Sequence, residues 1–411
     1  MFRGNPRHTG VFAPAAASSG QLKWKFHTAG PVLSSPAVVG ALLYVGSADH
    51  NLYAINLADG TQKWKFKTHG RVSSSPAVSG GLVYFGSYDG TFYAVDAASG
   101  QEKWKFLAPG ERRFAAKHLH GAEPAEETMP DPFDCYLSSP AVWNGTVYFG
   151  SGNGNVYALD AATGALKWKF RTGDVVHASP AIADGVVFVG SWDTYFYALD
   201  AVTGKEKWRF KTGDDDKIHN QVGIQSSAAV ADGVAYFGCR DSNLYAVDVA
   251  TGQKKWAFNN KGSWVINSPA VSDGKVYFAT SDSGLFYALD VKTGDKIFSL
   301  DNHHWPMFSS PAIAGKMLYL GSNEGKLLAL DLPSQKVAWT LQTDGSKQNG
   351  AAYTKPDGAP NYEAAFFDFF YDDMVAGNTK LLSVGAVLSS PTVADGVVYF
   401  GSADGNVYAV R

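Results

Sequence analysis

VLSSPAV (32–38) is the first of eight copies of one short motif, and its recurrence determines how the chain folds. Each copy is followed by a glycine-containing turn, a run such as VVYFGS (397–402) and a run such as NVYALD (155–160). Most units then end in KWKF or a relative of it. A repeat of this kind defines the architecture before any single residue does. The remaining copies are VSSSPAV (72–78), YLSSPAV (136–142), VHASPAI (176–182), IQSSAAV (224–230), VINSPAV (265–271), MFSSPAI (307–313) and VLSSPTV (387–393).

The runs within each unit are short, rich in aromatic and β-branched residues, and bounded by Gly, Asp, Asn and Ser. This pattern indicates strands rather than helices. Four short strands that recur about every 40 residues have the spacing of propeller blades. An open solenoid is the alternative architecture.

The two ends of the chain favour a closed ring. The last unit stops after its third strand, at Arg411, whereas LKWKF (22–26) is a fourth strand without the first three. Pairing these ends would leave no open sheet edge. The sequence therefore predicts an all-β fold, a single closed eight-bladed β-propeller of four-stranded blades over residues 22–411. The N-terminal strand completes the last blade, and residues 1–21 are an N-terminal extension.

Two further positions recur from unit to unit. One is an alanine in the third strand, where only a small side chain lets neighbouring sheets approach: Ala54, Ala94, Ala158, Ala198, Ala246, Ala288, Ala329 and Ala409. The other is a tryptophan in the fourth strand, replaced by Phe298 in the sixth unit: Trp24, Trp64, Trp104, Trp168, Trp208, Trp256 and Trp339. We interpret these rings as core buried between blades, because large aromatic side chains bury the most apolar area.

The composition excludes several classes of protein. Hydrophobic residues make up 45% of the 411 residues and charged residues 18%, which suffices for a large core. The net charge of −3 argues against a nucleic-acid partner, which would need a basic surface. No apolar run is long enough to be a transmembrane segment, and residues 1–21 lack the pattern of a signal peptide. Cys135 and Cys239 form neither a CxxC pair nor a zinc spacing, and their pairing stays open.

The pattern A-x-D-x-x-T-G-x-x-x-W occurs in ALDAATGALKW (158–168) and ALDAVTGKEKW (198–208). It resembles the tryptophan-docking repeat of the PQQ-like propeller family, which includes quinoprotein dehydrogenases and BamB-like proteins without the cofactor. The resemblance covers residues 22–411 and implies the fold far more strongly than a function. FRGNPRHTG (2–10) also resembles the mature start of secreted or lipid-anchored members of this group. The resemblance implies a periplasmic or extracellular location.

Departures from the repeat point to one face of the ring. The top face holds the loops that join the fourth strand of a blade to the next blade, and the loops between second and third strands. Three insertions, 107–135, 211–223 and 342–386, fall in the first kind of loop, and nine of the ten histidines map to this face. Insertions concentrated on one face usually mark a binding surface. The stretch YEAAFFDFFYDDM (362–374) is predicted to form a short helix that covers the top like a lid.

The innermost strands carry three polar substitutions that should face the mouth of the central channel. His177 and Gln225 replace residues such as Leu33, and Asn267 replaces a serine or alanine. A ligand or metal contact is one interpretation, and a hydrogen-bonded network that fills the channel is the other. The flanking top-face loops add further candidate ligand-binding residues: Arg112, Arg113, His118, His120, Trp192, Arg240, Trp264, His303, His304 and Trp305.

These residue types suit specific chemistry. Arginine binds carboxylate, sulfate or phosphate bidentately, and tryptophan can stack on sugar rings. Imidazole ligates divalent transition metals and acts as a general base near neutral pH. His177, His219 and Gln225 are therefore the candidate metal ligands, and His177, His219 and Arg240 are the candidate catalytic residues.

Three functions are consistent with this set of residues. The first is an extracytoplasmic, monomeric binding propeller for a small polar or anionic ligand, including an oligosaccharide. The second is a metal-assisted or His/Arg-dependent lyase or hydrolase acting on acidic saccharides. The third, a PQQ-dependent dehydrogenase, is disfavoured. The chain lacks the adjacent cysteines that the family resemblance would lead one to expect and has no matched calcium-binding carboxylates.

Overall fold

The computed structural model describes residues 2–110, 134, 136–213, 223–368 and 370–411. Within these residues the chain forms eight antiparallel blades, and the innermost strand of each blade contacts the innermost strands of its two neighbours. The predicted closed eight-bladed β-propeller is confirmed. Two strands precede the first complete blade, β1 (Val11–Phe12) and β2 (Leu22–His27).

The strands of each blade run from the channel to the rim in chain order. Blade one contains β3 (Ala37–Val39), β4 (Leu42–Gly46), β5 (Asn51–Asn56) and β6 (Gln62–Lys67). Blade two contains β7 (Ala77–Ser79), β8 (Leu82–Gly86), β9 (Thr91–Asp96) and β10 (Glu102–Leu107). Blade three contains β11 (Ala141–Trp143), β12 (Thr146–Gly150), β13 (Asn155–Asp160) and β14 (Leu166–Arg171). Blade four contains β15 (Ala181–Ala183), β16 (Val186–Gly190), β17 (Tyr195–Asp200) and β18 (Glu206–Lys211).

The second half of the ring repeats this order. Blade five contains β19 (Ala229–Ala231), β20 (Val234–Gly238), β21 (Asn243–Asp248) and β22 (Lys254–Asn259). Blade six contains β23 (Ala270–Ser272), β24 (Lys275–Ala279), β25 (Leu285–Asp290) and β26 (Lys296–Asp301). Blade seven contains β27 (Ala312–Ala314), β28 (Met317–Ser322), β29 (Lys326–Asp331) and β30 (Lys336–Gln342). Blade eight contains β31 (Thr392–Ala394), β32 (Val397–Gly401) and β33 (Asn406–Val410).

Three helices occur in the insertion between blades seven and eight: α1 (Asp344–Tyr353), α2 (Tyr362–Ala365) and α3 (Tyr371–Leu382). Thr343 caps α1, because its side chain accepts a hydrogen bond from the Ser346 amide. None of the helices in the described part of the chain is long and apolar enough to cross a membrane.

The N-terminal strand closes the ring. β2 pairs antiparallel with β33, with Trp24 opposite Ala409, and so supplies the fourth strand of blade eight. This pairing confirms the prediction that the N-terminal strand completes the last blade. It also covers the strand edge that blade eight would otherwise expose.

A continuous ring of serine hydrogen bonds joins the innermost segments of all eight blades. In each step the backbone amide of one serine donates to the side-chain hydroxyl of the equivalent serine in the next blade. The eight distances lie between 2.8 and 3.1 Å. The ring runs through Ser35, Ser75, Ser139, Ser179, Ser227, Ser268, Ser310 and Ser390, and then returns to Ser35.

The repeated tryptophans pack between blades, as predicted. The Trp64 ring is 8% exposed, and its Nε1 donates to the Ala97 carbonyl of the next blade at 3.0 Å. A Cβ on Gly100 would lie 2.7 Å from that indole, so only glycine fits beneath the ring at this turn. Five other tryptophans make the same bond to the following blade: Trp24, Trp104, Trp168, Trp208 and Trp256.

The N-terminal extension does not lie apart from the ring. Its residues 2–12 cross the inner strands of blades four to seven, where β1 pairs in parallel with β27. The Arg3 guanidinium is buried and donates to the carbonyls of Pro269 and Pro311. Four inner-strand amides donate to carbonyls of the extension, in the pairs Ile182–Pro6, Val230–Arg7, Val271–Thr9 and Ile313–Gly10. The extension therefore closes the end of the channel opposite the top face.

His8 of this segment is fully buried, and neither ring nitrogen has a hydrogen-bond partner among the described residues. Burial, together with the nearby Arg3 guanidinium, lowers the pKa of His8 to about 3. His8 therefore stays neutral in the folded protein at a pH where the unfolded chain already binds a proton.

We predict that deleting residues 1–26 abolishes cooperative folding or causes aggregation, because it removes β2 and exposes the edge of β33. The measurement is urea unfolding combined with light scattering. A truncated protein that remains monomeric with an unchanged midpoint would contradict this role of the N-terminal strand.

His8 should make stability depend on pH. The unfolded chain protonates this histidine near pH 6.5 and the folded protein only near pH 3, so stability is lost as pH falls through this window. The expected loss is about 1.4 kcal/mol per pH unit. His8→Asn removes the titration, and asparagine tolerates the left-handed backbone at this position (φ 54°). Urea unfolding of both proteins from pH 7 to pH 4 should give a steeper decline for the wild type; parallel curves would refute the assignment.

Candidate functional site: the top of the channel

Two of the polar substitutions predicted at the channel mouth lie side by side. His177 and Gln225 precede the innermost strands of blades four and five, at the position that Leu33 and Leu388 occupy in sister blades. Both side chains are buried, and both line the channel cavity. The repeat places them there because this position always faces the channel.

Asp134 connects these two residues. His177 Nδ1 lies 2.5 Å from one oxygen of the Asp134 carboxylate, and Gln225 Nε2 donates to the other oxygen at 3.3 Å. The Asp134 side chain is only 3% exposed. Asp134 is not among the residues predicted from the sequence, because it lies in a long insertion outside the repeat. Its place shortly before the YLSSPAV copy was the only available signal.

Arg240, in the loop between β20 and β21 of blade five, extends this network. Its Nε and Nη2 donate to Gln225 Oε1 at 3.2 and 2.8 Å. The guanidinium lies between the rings of Trp192 and Trp264, 4.1 Å from each centroid. Arg240 is 1% exposed, so both cation–π contacts form away from water, where each is worth up to about 2 kcal/mol.

Burial also perturbs the carboxylates beside this network. It raises the pKa of Asp174, three residues before His177, although a charged His177 would oppose that shift. It likewise raises the pKa of Asp241, the neighbour of Arg240, which accepts a 2.5 Å hydrogen bond from the Tyr245 hydroxyl. Burial at this end of the channel therefore disfavours the charged form of both carboxyl groups.

An apolar cluster closes the other half of the channel top. Trp264, Ile266, Phe308 and Leu388 pack together there, and Leu382 of α3 contacts them. The Tyr136 hydroxyl donates to the Leu388 carbonyl at 2.9 Å and so ties the segment after Asp134 across the ring. The cavity left inside the channel is about 40 Å³, which is room for a few water molecules.

The Asn267 side chain forms its hydrogen bonds with backbone groups. Its amide nitrogen donates to the Ala279 and Met307 carbonyls, each at 3.0 Å, and its oxygen accepts from the Ala279 amide. Ser34 accepts the equivalent bond from the Gly46 amide in blade one, and it donates to the Ser74 carbonyl of the next blade. Asn267 therefore keeps the bond within its blade but reaches the next blade two residues earlier, at Met307.

The predicted HHW run (303–305) lies away from the Asp134 network. His303 and His304 are exposed and have left-handed backbone angles, with φ of 52° and 62°. Trp305 is buried, and its Nε1 donates to the Gly358 carbonyl at 3.0 Å. This tryptophan anchors the insertion 342–386 to blade seven.

That insertion contains more helix than expected. The stretch predicted to form one short helix, 362–374, instead contains α2 and the start of α3. Phe367 and Phe370, between the two helices, are 90% and 54% exposed. Some of the aromatic side chains of the insertion 342–386 therefore face solvent rather than packing against the propeller.

Several candidate residues lie outside the described residues: Arg112, Arg113, His118, His120, His219 and Cys135. Their roles remain predictions. Within the described part of the chain no group of three His, Cys, Asp or Glu side chains is arranged to hold a metal ion. Cys239 is a buried free thiol.

The fold and the buried polar network in its channel define the class of protein, an eight-bladed propeller whose described residues occupy much of the axis with their own side chains. A family model described as outer membrane protein assembly factor BamB matches residues 9–126, 125–261 and 258–363. The chain belongs to this family of PQQ-like propellers. No curated protein sequence matches the chain significantly.

Solved structures share the whole ring at low sequence identity. BamB from Moraxella catarrhalis has a TM-score of 0.68 and 16% identity, covering 95% of this chain and 97% of that one. A europium-containing methanol dehydrogenase has a TM-score of 0.69 and 16% identity, with 98% and 90% covered. Quinohemoprotein alcohol dehydrogenase from Comamonas testosteroni has a TM-score of 0.70 and 15% identity, with 98% and 78% covered. At such identities the likeness shows the fold alone.

The described channel does not fit the quinone cofactor that part of this fold family carries. Its cavity is about 40 Å³, whereas a single benzene ring occupies a cavity of about 150 Å³. A quinone of three fused rings needs more space than that. The Trp192 and Trp264 faces that could stack on a ring are instead occupied by Arg240.

The repeat alone predicts that His177→Leu is harmless, because sister blades carry leucine there. The bond to Asp134 changes this expectation. Removing the imidazole takes a hydrogen bond from a buried carboxylate, and we expect the free energy of unfolding to fall by about 1–3 kcal/mol. The matched control is Ile266→Leu at the same position of blade six, a change of shape without a polar partner. Equal urea midpoints for the two variants would show that the Asp134–His177 bond adds nothing.

Proposed function

We propose that the protein is a non-catalytic, extracytoplasmic binding propeller whose top-face helical insertion docks a polypeptide partner. The observation that carries this proposal is the exposure of Tyr362, Phe367, Phe370 and Val375, called the insertion patch below. The family to which the chain belongs is described as an outer membrane protein assembly factor. This description supports an extracytoplasmic location and a polypeptide partner.

The insertion patch is unusually apolar for a surface loop. Phe367 is 90% exposed and Phe370 54%, and Tyr362 and Val375 are also exposed. Among the described residues, Tyr362, Phe367 and Phe370 are the phenylalanine, tyrosine and tryptophan side chains that are exposed, and they fall within one short stretch. Exposed apolar residues scattered singly need no explanation, but a contiguous group on a folded surface marks an interaction site.

The charge around the patch indicates the chemistry of the partner. Residues 357–375 contain five acidic side chains and no basic one: Asp357, Glu363, Asp368, Asp372 and Asp373. An apolar centre with an acidic rim complements a segment that combines aromatic or aliphatic residues with Lys or Arg. The proposed partner is therefore a basic, partly apolar polypeptide segment.

The state of the channel argues for binding rather than catalysis. His177 and Arg240, the catalytic candidates within the described residues, are buried and engaged with Asp134 and Gln225. A general base must lie within hydrogen-bond reach of its substrate. The small polar or anionic ligand expected from the sequence remains a prediction.

A photo-crosslinking amino acid at position 367 of the full-length protein, expressed in its own host, tests the proposal. We expect discrete adducts with one or a few polypeptides. The matched control places the same crosslinker at Val202, which is 73% exposed in a turn on the opposite face. A second arm places the crosslinker at Val375 in a Phe367→Ser/Phe370→Ser background, where adducts should fall at least fivefold. Equal adducts at positions 202 and 367, or none at 367, would contradict the proposal.

A further inference from the structure

The interfaces between neighbouring blades, called seams below, share a second aromatic contact besides the repeated tryptophan. In six seams a phenylalanine of one blade's fourth strand meets a tyrosine of the next blade's third strand, edge to face. Their ring centroids are 5.1–5.4 Å apart. The pairs are Phe26–Tyr53, Phe66–Tyr93, Phe106–Tyr157, Phe170–Tyr197, Phe210–Tyr245 and Phe258–Tyr287. The seam between blades seven and eight keeps the tyrosine, Tyr408, stacked on Phe400.

The seam between blades six and seven is the exception. Leu300 stands at the phenylalanine position and Leu328 at the tyrosine position. Leu320 occupies the second-strand position that is Phe85, Phe149 or Phe237 in other seams. The same seam also has Phe298 where its sisters have tryptophan. Rings are thus missing from several neighbouring positions at once.

The missing rings leave a cavity. It measures about 210 Å³, is lined by Phe286, Leu300, Leu320, Leu328 and Leu330, and has His303 and Thr340 at its rim. An apolar cavity of about 150 Å³ in another protein binds benzene. The space between blades six and seven is therefore large enough for one substituted aromatic ring.

A carboxylate stands where a ring hydroxyl would point. In sister blades the seam tyrosine donates its hydroxyl to an aspartate of the second loop, as Tyr53 does to Asp49 (2.7 Å) and Tyr197 to Asp193 (2.7 Å). The equivalent residue in blade seven is Glu324, which lines the cavity and pairs with Lys326. Blade seven thus keeps the acceptor for a phenol hydroxyl but lacks the phenol.

We propose that the cavity between blades six and seven is a binding site for a monocyclic phenol, whose ring takes the place of the absent tyrosine and whose hydroxyl donates to Glu324. The ring would pack against Phe286 and the four leucines that line the cavity. Lys326, which pairs with Glu324, would hold the carboxylate in place. This site is independent of the channel network and of the insertion patch.

Isothermal titration calorimetry of the full-length protein with p-cresol tests the site, with toluene as the matched ligand that lacks the hydroxyl. We expect 1:1 saturable binding of p-cresol, at least tenfold tighter than toluene, because a hydrogen bond to the partly buried, charged Glu324 acceptor contributes about 1.5 kcal/mol or more. Equal affinities would overturn the phenol assignment, and so would the absence of saturable p-cresol binding. N-acetyltyrosinamide, as a third ligand, distinguishes a free phenol from a tyrosine presented by a peptide.

Leu328→Tyr supplies the missing ring from the protein itself. We expect it to abolish p-cresol binding and to raise the melting temperature, because it restores the packing of the sister seams. Leu341→Phe is the matched control, since it makes a leucine-to-aromatic change in the next seam, where Phe400 and Tyr408 are already present. This control should bind p-cresol as the wild type does. If Leu328→Tyr does not fold, Leu320→Phe replaces it. A folded variant of either kind with wild-type affinity would place p-cresol elsewhere and overturn the proposal.

Discussion

The ring of eight serine hydrogen bonds is the constraint on which the rest of the structure depends. The innermost strands are only three residues long, so their ladders within each blade add little to holding the blades in register. Each blade instead donates one amide to the next blade's serine until the circle closes between Ser390 and Ser35. Near the axis there is room only for a small side chain with its own hydroxyl, which explains why the serine pair and its proline recur around the chain.

This constraint determines where the chain is free to vary. The position before the serines faces the channel but carries no ring bond, so His177 and Gln225 could be accommodated there. Their polar atoms are then satisfied by Asp134 and Arg240, as buried polar groups require. Arg3 and His8 fill the opposite end. Within the described residues the axis is occupied by the protein's own side chains, and the two proposed interaction sites lie outside it, at the insertion patch and in one blade seam.

The seams show how a repeat protein can carry a site without a new element. Six seams contain the same phenylalanine–tyrosine pair. The seam between blades six and seven can therefore be compared with six equivalent interfaces in the same protein. Three leucines in place of rings cost packing, and a close-packed interior does not compensate by collapsing completely. The retained Glu324 suggests why such a cavity is tolerated. It offers a ligand the acceptor that a tyrosine uses elsewhere in the ring.

The sequence by itself determined the blade number, the closure through residues 22–26 and the burial of the tryptophans, because these depend on local patterns repeated eight times. It also placed His177 and Gln225 at the channel mouth and Trp192, Arg240 and Trp264 in the flanking top-face loops, since equivalent positions of neighbouring blades share one face of the ring. Only the tertiary structure showed that Asp134 binds His177, that Trp305 of the HHW run binds the insertion at Gly358, and that residues 2–12 line the channel. Those residues lie outside the repeat, and their positions follow from long-range contacts for which sequence spacing carries no information.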